Sequence, residues 1–205
     1  MIEITVQEEK PGIPVRVCVR CGREIPSYMK SYRSYKRNGW LCQRCNNQLW
    51  RQKGYAAERS LCKKLEQLGY YADRIPSSGP GKSNFPDIIA TDKKRKISLA
   101  LEVKAFYAKS VTIKKGQLVK AALYLIRHHY DSETRMVGAC VKFLMGERRK
   151  SPWVCKLIPV RDDMDLDALE DLTVNIEDPS DLPELTSLTT SRRARRIIKK
   201  RRRKR

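Results

Sequence analysis

Histidine is nearly absent from this sequence, which has only two, His128 and His129, among 205 residues. Apolar runs long enough to span a membrane are also missing, and the N-terminus lacks the basic start and apolar middle of a signal peptide. Acidic residues are scarce relative to basic ones, with 23 Asp and Glu against 44 Lys and Arg. We therefore predict an intracellular protein, with no membrane span, that binds a polyanion, with nucleic acid considered before an acidic membrane surface.

The charges are distributed unevenly along the chain. Eleven of the 44 basic residues lie between Arg192 and Arg205, and ten of the 23 acidic residues lie between Asp162 and Glu184. We predict an acidic linker with one short helix over residues 161–190. Because a run of Lys and Arg cannot bury itself, we predict a disordered tail over residues 191–205, either a DNA-gripping arm or a localisation signal. Residues 1–14 are interpreted as a loose lead-in.

Seven cysteines leave an odd one if all others pair, which favours metal ligands and buried thiols over disulfides. Two Cys-x-x-Cys pairs, Cys18 with Cys21 and Cys42 with Cys45, have the spacing of a tetrahedral Cys₄ zinc site. Gly22 supplies the positive φ that such a knuckle needs. We predict a zinc ribbon over residues 15–50 with Zn²⁺ as a structural cofactor.

Between the two pairs, aromatic and basic residues alternate. This composition suits phosphate neutralisation and stacking on bases, but tyrosines in so small a module also cover its core. The residues are Tyr28, Lys30, Tyr32, Arg33, Tyr35, Lys36, Arg37 and Trp40. Some junction nucleases of the His-metal type also carry two such knuckles; that class needs a catalytic histidine beside the zinc module, and this sequence has none there.

Residues 51–160 have the pattern of an α/β core. Apolar residues recur at helical spacing from Gly54 to the stop signal Gly69, and short β-branched runs follow. We predict strands over residues 70–75, 87–91, 97–104, 136–145 and 153–160, a strand over 111–113 that continues the sheet edge, and a helix over 114–130. The fold class is a mixed, mostly antiparallel sheet flanked by helices.

Two residues within one predicted strand, Glu102 and Lys104, are two positions apart and so share a face. Asp87 opens the preceding strand. A carboxylate pair with an adjacent ammonium could hold Mg²⁺ through oxygen ligands and position a water molecule for hydrolysis. Glu58 lies beside the apolar stripe of the first helix, where it points either into a cleft or into water, and Gln117 on the second helix is as consistent with a solvated residue as with a site residue.

The ordered set of these motifs resembles the archaeal Holliday junction resolvases, a branch of the PD-(D/E)xK nucleases with a restriction-endonuclease-like core. The resemblance covers residues 54 to 160, about half the chain, and the Cys-rich module and charged C-terminus depart from it. The matching positions are Ala57-Glu58-Arg59, Gly69-Tyr70, Arg74, Ser78-Gly79, Pro86-Asp87, Ala90 and Glu102-Val103-Lys104.

The resemblance implies a homodimeric hydrolase of DNA recombination and repair, archaeal or virus-encoded, that cuts four-way junctions with Mg²⁺. It implies that Asp87 and Glu102 bind the metal, that Lys104 activates water, and that Glu58 completes the metal shell. Phosphates would be held by Arg59, Arg74, Ser78 and the loop cation Lys82. Two alternatives stay open: a related nuclease of linear, flap or restriction-like DNA substrates, and a noncatalytic zinc-ribbon DNA-binding protein.

Overall fold

The computed structural model describes residues 15–34, 38–75, 85–145 and 151–187 of the chain. The chain divides into two compact units, Met1–Lys53 and Gly54–Arg205. The predicted lead-in, Ser78, Lys82 and the basic tail lie outside the described residues. In the part that the structure describes, no helix combines the length and apolar character needed to cross a membrane.

The first unit contains two small antiparallel hairpins. Strands β1 (Arg16–Val17) and β2 (Glu24–Ile25) form one hairpin, and β3 (Ser31–Ser34) and β4 (Gly39–Cys42) form the other. Its small core consists of Cys18, Ile25, Leu41 and Cys45, with Tyr32 and Trp40 packed against it. Gly22 has a φ of +71°, as the knuckle prediction requires.

Helix α1 (Gln43–Gln67) begins directly after β4. The prediction started this helix at Gly54, where the helical spacing of apolar residues that includes Ala57 and Leu61 begins. The helix instead runs through Gly54 and includes Cys45. The boundary between the two compact units, after Lys53, therefore falls within a helix and not in a loop.

A five-stranded sheet forms the centre of the second unit. Its strands are β5 (Tyr71–Arg74), β6 (Ile88–Asp92), β7 (Ile97–Phe106), β9 (Thr134–Phe143) and β10 (Trp153–Val160), in the order β10-β9-β7-β6-β5. The pairing of β7 with β9 is parallel and the other pairings are antiparallel, which confirms the predicted mixed, mostly antiparallel sheet. Helix α2 spans Lys115–His128.

The sheet is covered on both faces. On one face, Leu61 and Leu65 of α1 pack in a cluster with Leu99, Leu101 and other residues of the sheet. On the other face, the buried side of α2 packs against a separate cluster that includes Ala100 and Val137. A strand buried on both faces has a nearly continuous apolar sequence, which explains the run from Ile97 to Leu101. Each fully buried leucine contributes about 2 kcal/mol relative to its exposed state.

The prediction that residues 111–113 continue the edge of the main sheet is wrong. Strand β8 (Ser110–Ile113) pairs with β11 (Leu172–Asn175) in a separate two-stranded sheet. The partner strand comes from the acidic segment, which was predicted to be a linker and therefore offered no strand to pair with.

Residues 161–187 are folded onto the core, in contrast to the predicted linker. This segment contains a 3₁₀-helix (Leu166–Ala168), β11 and a short helix α3 (Glu184–Ser187). Leu169, Val174 and Leu185 are buried. The Cys155 N–H donates to Ser180 Oγ and the Asp181 N–H donates to the Cys155 carbonyl, so residues 180–181 pair with the outer edge of β10. Because the segment is rich in acidic residues, its few apolar residues were not predicted to attach it to the core.

A disulfide joins Cys140 to Cys155, which corrects the expectation of free thiols. The two residues are direct partners across the β9–β10 pair, with a Cα–Cα distance of 4.2 Å. Both are fully buried. Strands β9 and β10 approach so closely that a Cβ on Gly138 would lie 2.0 Å from the Lys156 carbonyl oxygen. The odd number of cysteines gave no indication of this pair, because the register of two strands decides it.

Candidate active site

Asp87, just before β6, lies beside Glu102 in the middle of β7. Ile88 pairs with Leu101 across β6 and β7, so the residues just before and just after this pair come together. The Asp87 carboxylate accepts a hydrogen bond of 2.9 Å from the Val103 N–H. This bond fixes one carboxylate beside the other, because it attaches the Asp87 side chain to the backbone of the strand that carries Glu102.

The Glu102 carboxylate is buried, with 8% of the residue exposed. Burial and the nearby charge of Asp87 raise the pKa of Glu102, while Lys104 acts in the opposite direction. Two donors satisfy its Oε1: Lys104 Nζ at 2.5 Å and Gln117 Nε2 at 2.5 Å. Glu102 and Lys104 therefore share a face of β7, as predicted, and that face is turned toward α2.

Glu58 projects from α1 and pairs with Arg74 of β5. The Arg74 Nε–H donates to the Glu58 carboxylate, and the guanidinium carbon lies 4.5 Å from the centre of the Tyr55 ring. The hydrogen bond to Glu58 makes the largest contribution to the raised pKa of Arg74, and the charge of Asp87 contributes in the same direction. Glu58 is therefore linked electrostatically to the carboxylate pair through Arg74.

The remaining predicted phosphate contacts are less constrained. Arg59 is exposed on α1, next to Glu58. Ser78 and Lys82 fall in residues 76–84, outside the described part of the chain. His129, by contrast, lies 3.1 Å from Ser98 Oγ near the start of β7, so it serves a structural contact away from Glu102.

Two contacts were not assigned from the sequence. Gln117 was ambiguous between a solvated residue and a site residue, and its side chain donates a hydrogen bond to the candidate metal ligand Glu102. Tyr55 was not singled out, although it lies three residues before Glu58 on α1 and therefore on the same side of the helix. That spacing is the signal by which it could have been found.

The carboxylate pair suits a hard divalent cation. Asp87 and Glu102 offer oxygen ligands, the kind that Mg²⁺ binds in proteins. Burial and then the charge of Asp87 raise the pKa of Glu102, so an anionic Glu102 beside Asp87 is disfavoured unless a cation offsets the repulsion. A bound cation would remove this repulsion, so the residues present fit the metal that the sequence predicts.

The four predicted thiols of the first unit come together. The Sγ atoms of Cys18, Cys21, Cys42 and Cys45 all lie within 4.8 Å of one another, and those of Cys21 and Cys42 are 3.9 Å apart. Four sulfurs around a tetrahedral zinc ion are separated by about 3.7 Å, given a Zn–S bond of about 2.3 Å. The cluster could therefore hold a metal ion, and its dimensions suit zinc.

The backbone around these thiols favours the ionised form of one of them. Burial opposes ionisation of Cys18, yet hydrogen bonds from the backbone around Cys42, Arg20 and Cys21 lower its pKa to about 6. Burial and the neighbouring sulfurs raise the pKa of Cys45 to about 12. A metal ion bound by all four residues requires the four thiols to be deprotonated. Its positive charge would offset the repulsion between the neighbouring thiolates.

The central part of the chain has known relatives. Residues 50–135 match the family model described as archaeal Holliday junction resolvase. The resemblance of the central domain to the archaeal Holliday junction resolvases is confirmed. Residues 50–135 therefore form a resolvase-like domain, and the match covers less than half of the 205-residue chain.

A curated relative and a solved structure are similar to the chain. The crossover junction endodeoxyribonuclease of Sulfolobus islandicus rod-shaped virus 1 is 40% identical over 70 residues, 34% of this chain and 56% of that protein. The chain thus spans about half the length of the curated relative it matches. The structure of Archaeoglobus fulgidus Hjc, a Holliday junction resolvase, is 18% identical, with a TM-score of 0.39 over 65% of this chain and 92% of that one.

Proposed function

We propose that the chain is a Mg²⁺-dependent endonuclease that resolves four-way DNA junctions by hydrolysing phosphodiester bonds. One observation carries the proposal: in a resolvase-like domain, Asp87 and Glu102 lie side by side, with Lys104 bonded to Glu102 on the same face. Two adjacent carboxylates and an ammonium are the groups that metal-assisted hydrolysis requires.

Asp87 and Glu102 would hold the Mg²⁺. When bound, the metal supplies positive charge that favours ionisation of a water molecule and neutralises charge on the phosphate. Lys104 donates to Glu102 and would orient the attacking water, while Gln117 holds the second donor position of the same carboxylate. The water oxygen would attack phosphorus and the bond to the 3′ oxygen would break, leaving 5′-phosphate and 3′-hydroxyl ends.

The surrounding cations would hold the DNA backbone. Arg74 donates to Glu58, and the charge of Asp87 contributes to its raised pKa, so a phosphate at the carboxylate pair would have a guanidinium nearby. Three further residues would contact other phosphates of the DNA backbone: Arg59, Ser78 and Lys82. Glu58 would complete the metal shell directly or through water and, in the arrangement seen here, holds Arg74 in place.

Paired cleavage implies two copies of the chain. A four-way junction has two-fold symmetry, and symmetric nicks on two strands require two active sites related by the same symmetry. We therefore propose a homodimer.

In the first unit, Cys18, Cys21, Cys42 and Cys45 would hold one structural Zn²⁺. Similarity to a viral DNA nuclease also supports an intracellular site of action in recombination or repair.

The test compares four DNA substrates of equal length and sequence content: a four-way junction, a flap, a linear duplex and a single strand. With Mg²⁺, the proposal expects paired nicks near the junction centre and little cleavage of linear duplex. Preferential cutting of flaps or duplex would favour a related nuclease with another substrate. Binding without cleavage on any substrate would favour the noncatalytic DNA-binding protein.

A further inference from the structure

The two tyrosines that the structure describes in the first unit, Tyr28 and Tyr32, differ in their surroundings. Tyr32 packs against the small core formed by Ile25, Leu41 and the metal-ligand cysteines. Tyr28, in contrast, is 82% exposed. The explanation that tyrosines merely cover the core of a small module therefore applies to Tyr32 and fails for Tyr28, and the exposed ring needs another explanation.

Tyr28 lies in a tight turn between two hairpins. The Met29 N–H donates to the Pro26 carbonyl at 2.9 Å, which closes the turn after β2. Met29 is itself 54% exposed. The turn thus presents two large side chains to solvent on a backbone closed by a hydrogen bond, so the backbone has less conformational freedom to lose when Tyr28 binds a partner.

The surface around the turn is strongly positive. The described residues of the first unit carry eight Lys and Arg side chains against one acidic side chain, Glu24. Arg23 precedes the turn and Lys30 follows it, and both are exposed. Next to Lys30, Ser31 Oγ accepts a 2.7 Å hydrogen bond from Arg16, whose guanidinium stacks 4.0 Å from the centre of the Trp40 ring.

This combination fits a polyanion that also offers flat apolar faces. Phosphates attract the cations, and an exposed base accepts the ring of a tyrosine by stacking. An acidic protein would explain the charge but would not need an outward aromatic ring held on a closed turn. Fully paired duplex hides its base faces within the stack, whereas a branch point or a single strand exposes some of them.

We propose that the turn from Pro26 to Lys30 is a nucleic-acid contact in which Tyr28 stacks on an unstacked base at the branch point while Arg23 and Lys30 contact the adjoining phosphates. The inference rests on the proposed function for its partner, branched DNA. It adds a second contact, outside the resolvase-like domain, that selects DNA with exposed bases.

The first experiment measures binding of the full chain, in a Glu102→Gln background and without chelator, to a four-way junction, a duplex and a single strand of matched length. Tyr28→Ala should weaken binding to the junction and the single strand by roughly five- to a hundredfold, the range for loss of one stacked base. Duplex affinity should be nearly unchanged. Tyr28→Phe retains the ring and should bind as the parent does, which makes it the matched control.

A second measurement separates stacking from charge. The double variant Arg23→Gln/Lys30→Gln should lower the slope of log affinity against log salt by roughly 1.5, since each phosphate contact contributes about 0.7 to 0.9. Tyr28→Ala should leave the slope unchanged. A 2-aminopurine at the branch point should show a fluorescence change on binding that is retained with Tyr28→Phe and lost with Tyr28→Ala.

Zinc content and circular dichroism establish that each variant keeps the module folded. Equal junction affinities for the parent and Tyr28→Ala, with an unaltered 2-aminopurine signal, would overturn the stacking contact. An unchanged salt slope in the double variant would overturn the phosphate contacts, and both results together would assign the surface to a protein partner. Because cleavage is not measured, the result stands even if the chain cuts another DNA structure.

Discussion

Arg74 of β5 donates to the carboxylate of Glu58 on α1, and the two side chains form an ion pair beside the proposed metal ligands. The Glu58 side chain is 13% exposed and the Arg74 side chain is 27% exposed. Their pairing means that neither acts alone: removing Arg74 leaves a shielded carboxylate uncompensated, and removing Glu58 releases the guanidinium.

The first prediction tests this pairing by a double-mutant cycle. Glu58→Gln and Arg74→Gln should each lower the rate of junction cleavage, and the double variant should lose much less than the product of the two losses, because both changes break the same interaction. Single-turnover rates at saturating enzyme measure the effect. Arg59→Gln, the exposed neighbour, is the control and should alter only salt-dependent affinity. Strictly multiplicative losses would mean that the two residues act independently.

The second prediction concerns the carboxylate pair. Asp87→Asn and Glu102→Gln each remove a charged metal ligand with almost no change in volume, so each should abolish cleavage while junction binding in the absence of Mg²⁺ persists. Gel-shift and cleavage assays on the same preparations separate the two effects. Asp73→Asn, an exposed carboxylate on β5, removes the same charge and should retain activity. Normal turnover in either ligand variant would exclude the assignment.

The third prediction concerns the donors that hold Glu102. Lys104→Ala should reduce the cleavage rate by orders of magnitude with a milder effect on affinity. Gln117→Ala should cost roughly 10- to 100-fold, the usual effect of losing a residue that orients a metal ligand. It should also raise the Mg²⁺ concentration needed for half-maximal rate, whereas a purely structural role would leave that concentration unchanged. A defect of Lys104→Ala confined to affinity would indicate a phosphate clamp.

The fourth prediction concerns the metal of the first unit. The core around Cys18, Ile25 and Leu41 is too small to fold on apolar burial alone, so a metal should supply its folding free energy. Elemental analysis should find one zinc per chain, and Cys42→Ser should release it and unfold the module. Cys62→Ser, a buried thiol outside the cluster, should retain zinc. Cleavage of simple junctions should survive in Cys42→Ser; a metal-free chain with a folded module would contradict the prediction.

The fifth prediction concerns stability at low pH. Arg135 donates two hydrogen bonds of 2.8 Å to Asp162, and these bonds lower the pKa of Asp162. Because the folded-state pKa is depressed, the pair stabilises the fold above the ordinary aspartate pKa of about 4 and loses this contribution as the pH falls below it. Asp162→Asn should therefore lower the Tm at neutral pH and flatten its decline in acid. Asp163→Asn, an exposed neighbour, should leave the acid decline as in the parent.

Much of the central domain was predictable because its signals are local. Apolar runs gave β6, β7, β9 and β10, and the two-residue spacing of Glu102 and Lys104 placed them on one face, which the structure bears out. The cysteine spacing likewise gave the thiol cluster. In the strands, periodicity decides which side chains share a face, and in the first unit the spacing of two Cys-x-x-Cys pairs indicates which thiols meet.

The errors concern pairings and boundaries that local patterns do not decide. The Cys140–Cys155 disulfide depends on the register of two strands, and the pairing of β8 with β11 joins residues about sixty positions apart. The start of α1 was misplaced because its periodic apolar residues begin only after Gly54, while the helix includes Cys45 of the thiol cluster. Local propensity contains no information on such contacts.

Residues 180–181 pair with the outer edge of β10 and thereby close that side of the sheet. Because β10 is an edge of the five-stranded sheet, another chain could not extend the sheet at Cys155 without first displacing residues 180–181. The acidic segment therefore protects part of this edge from pairing with a second molecule.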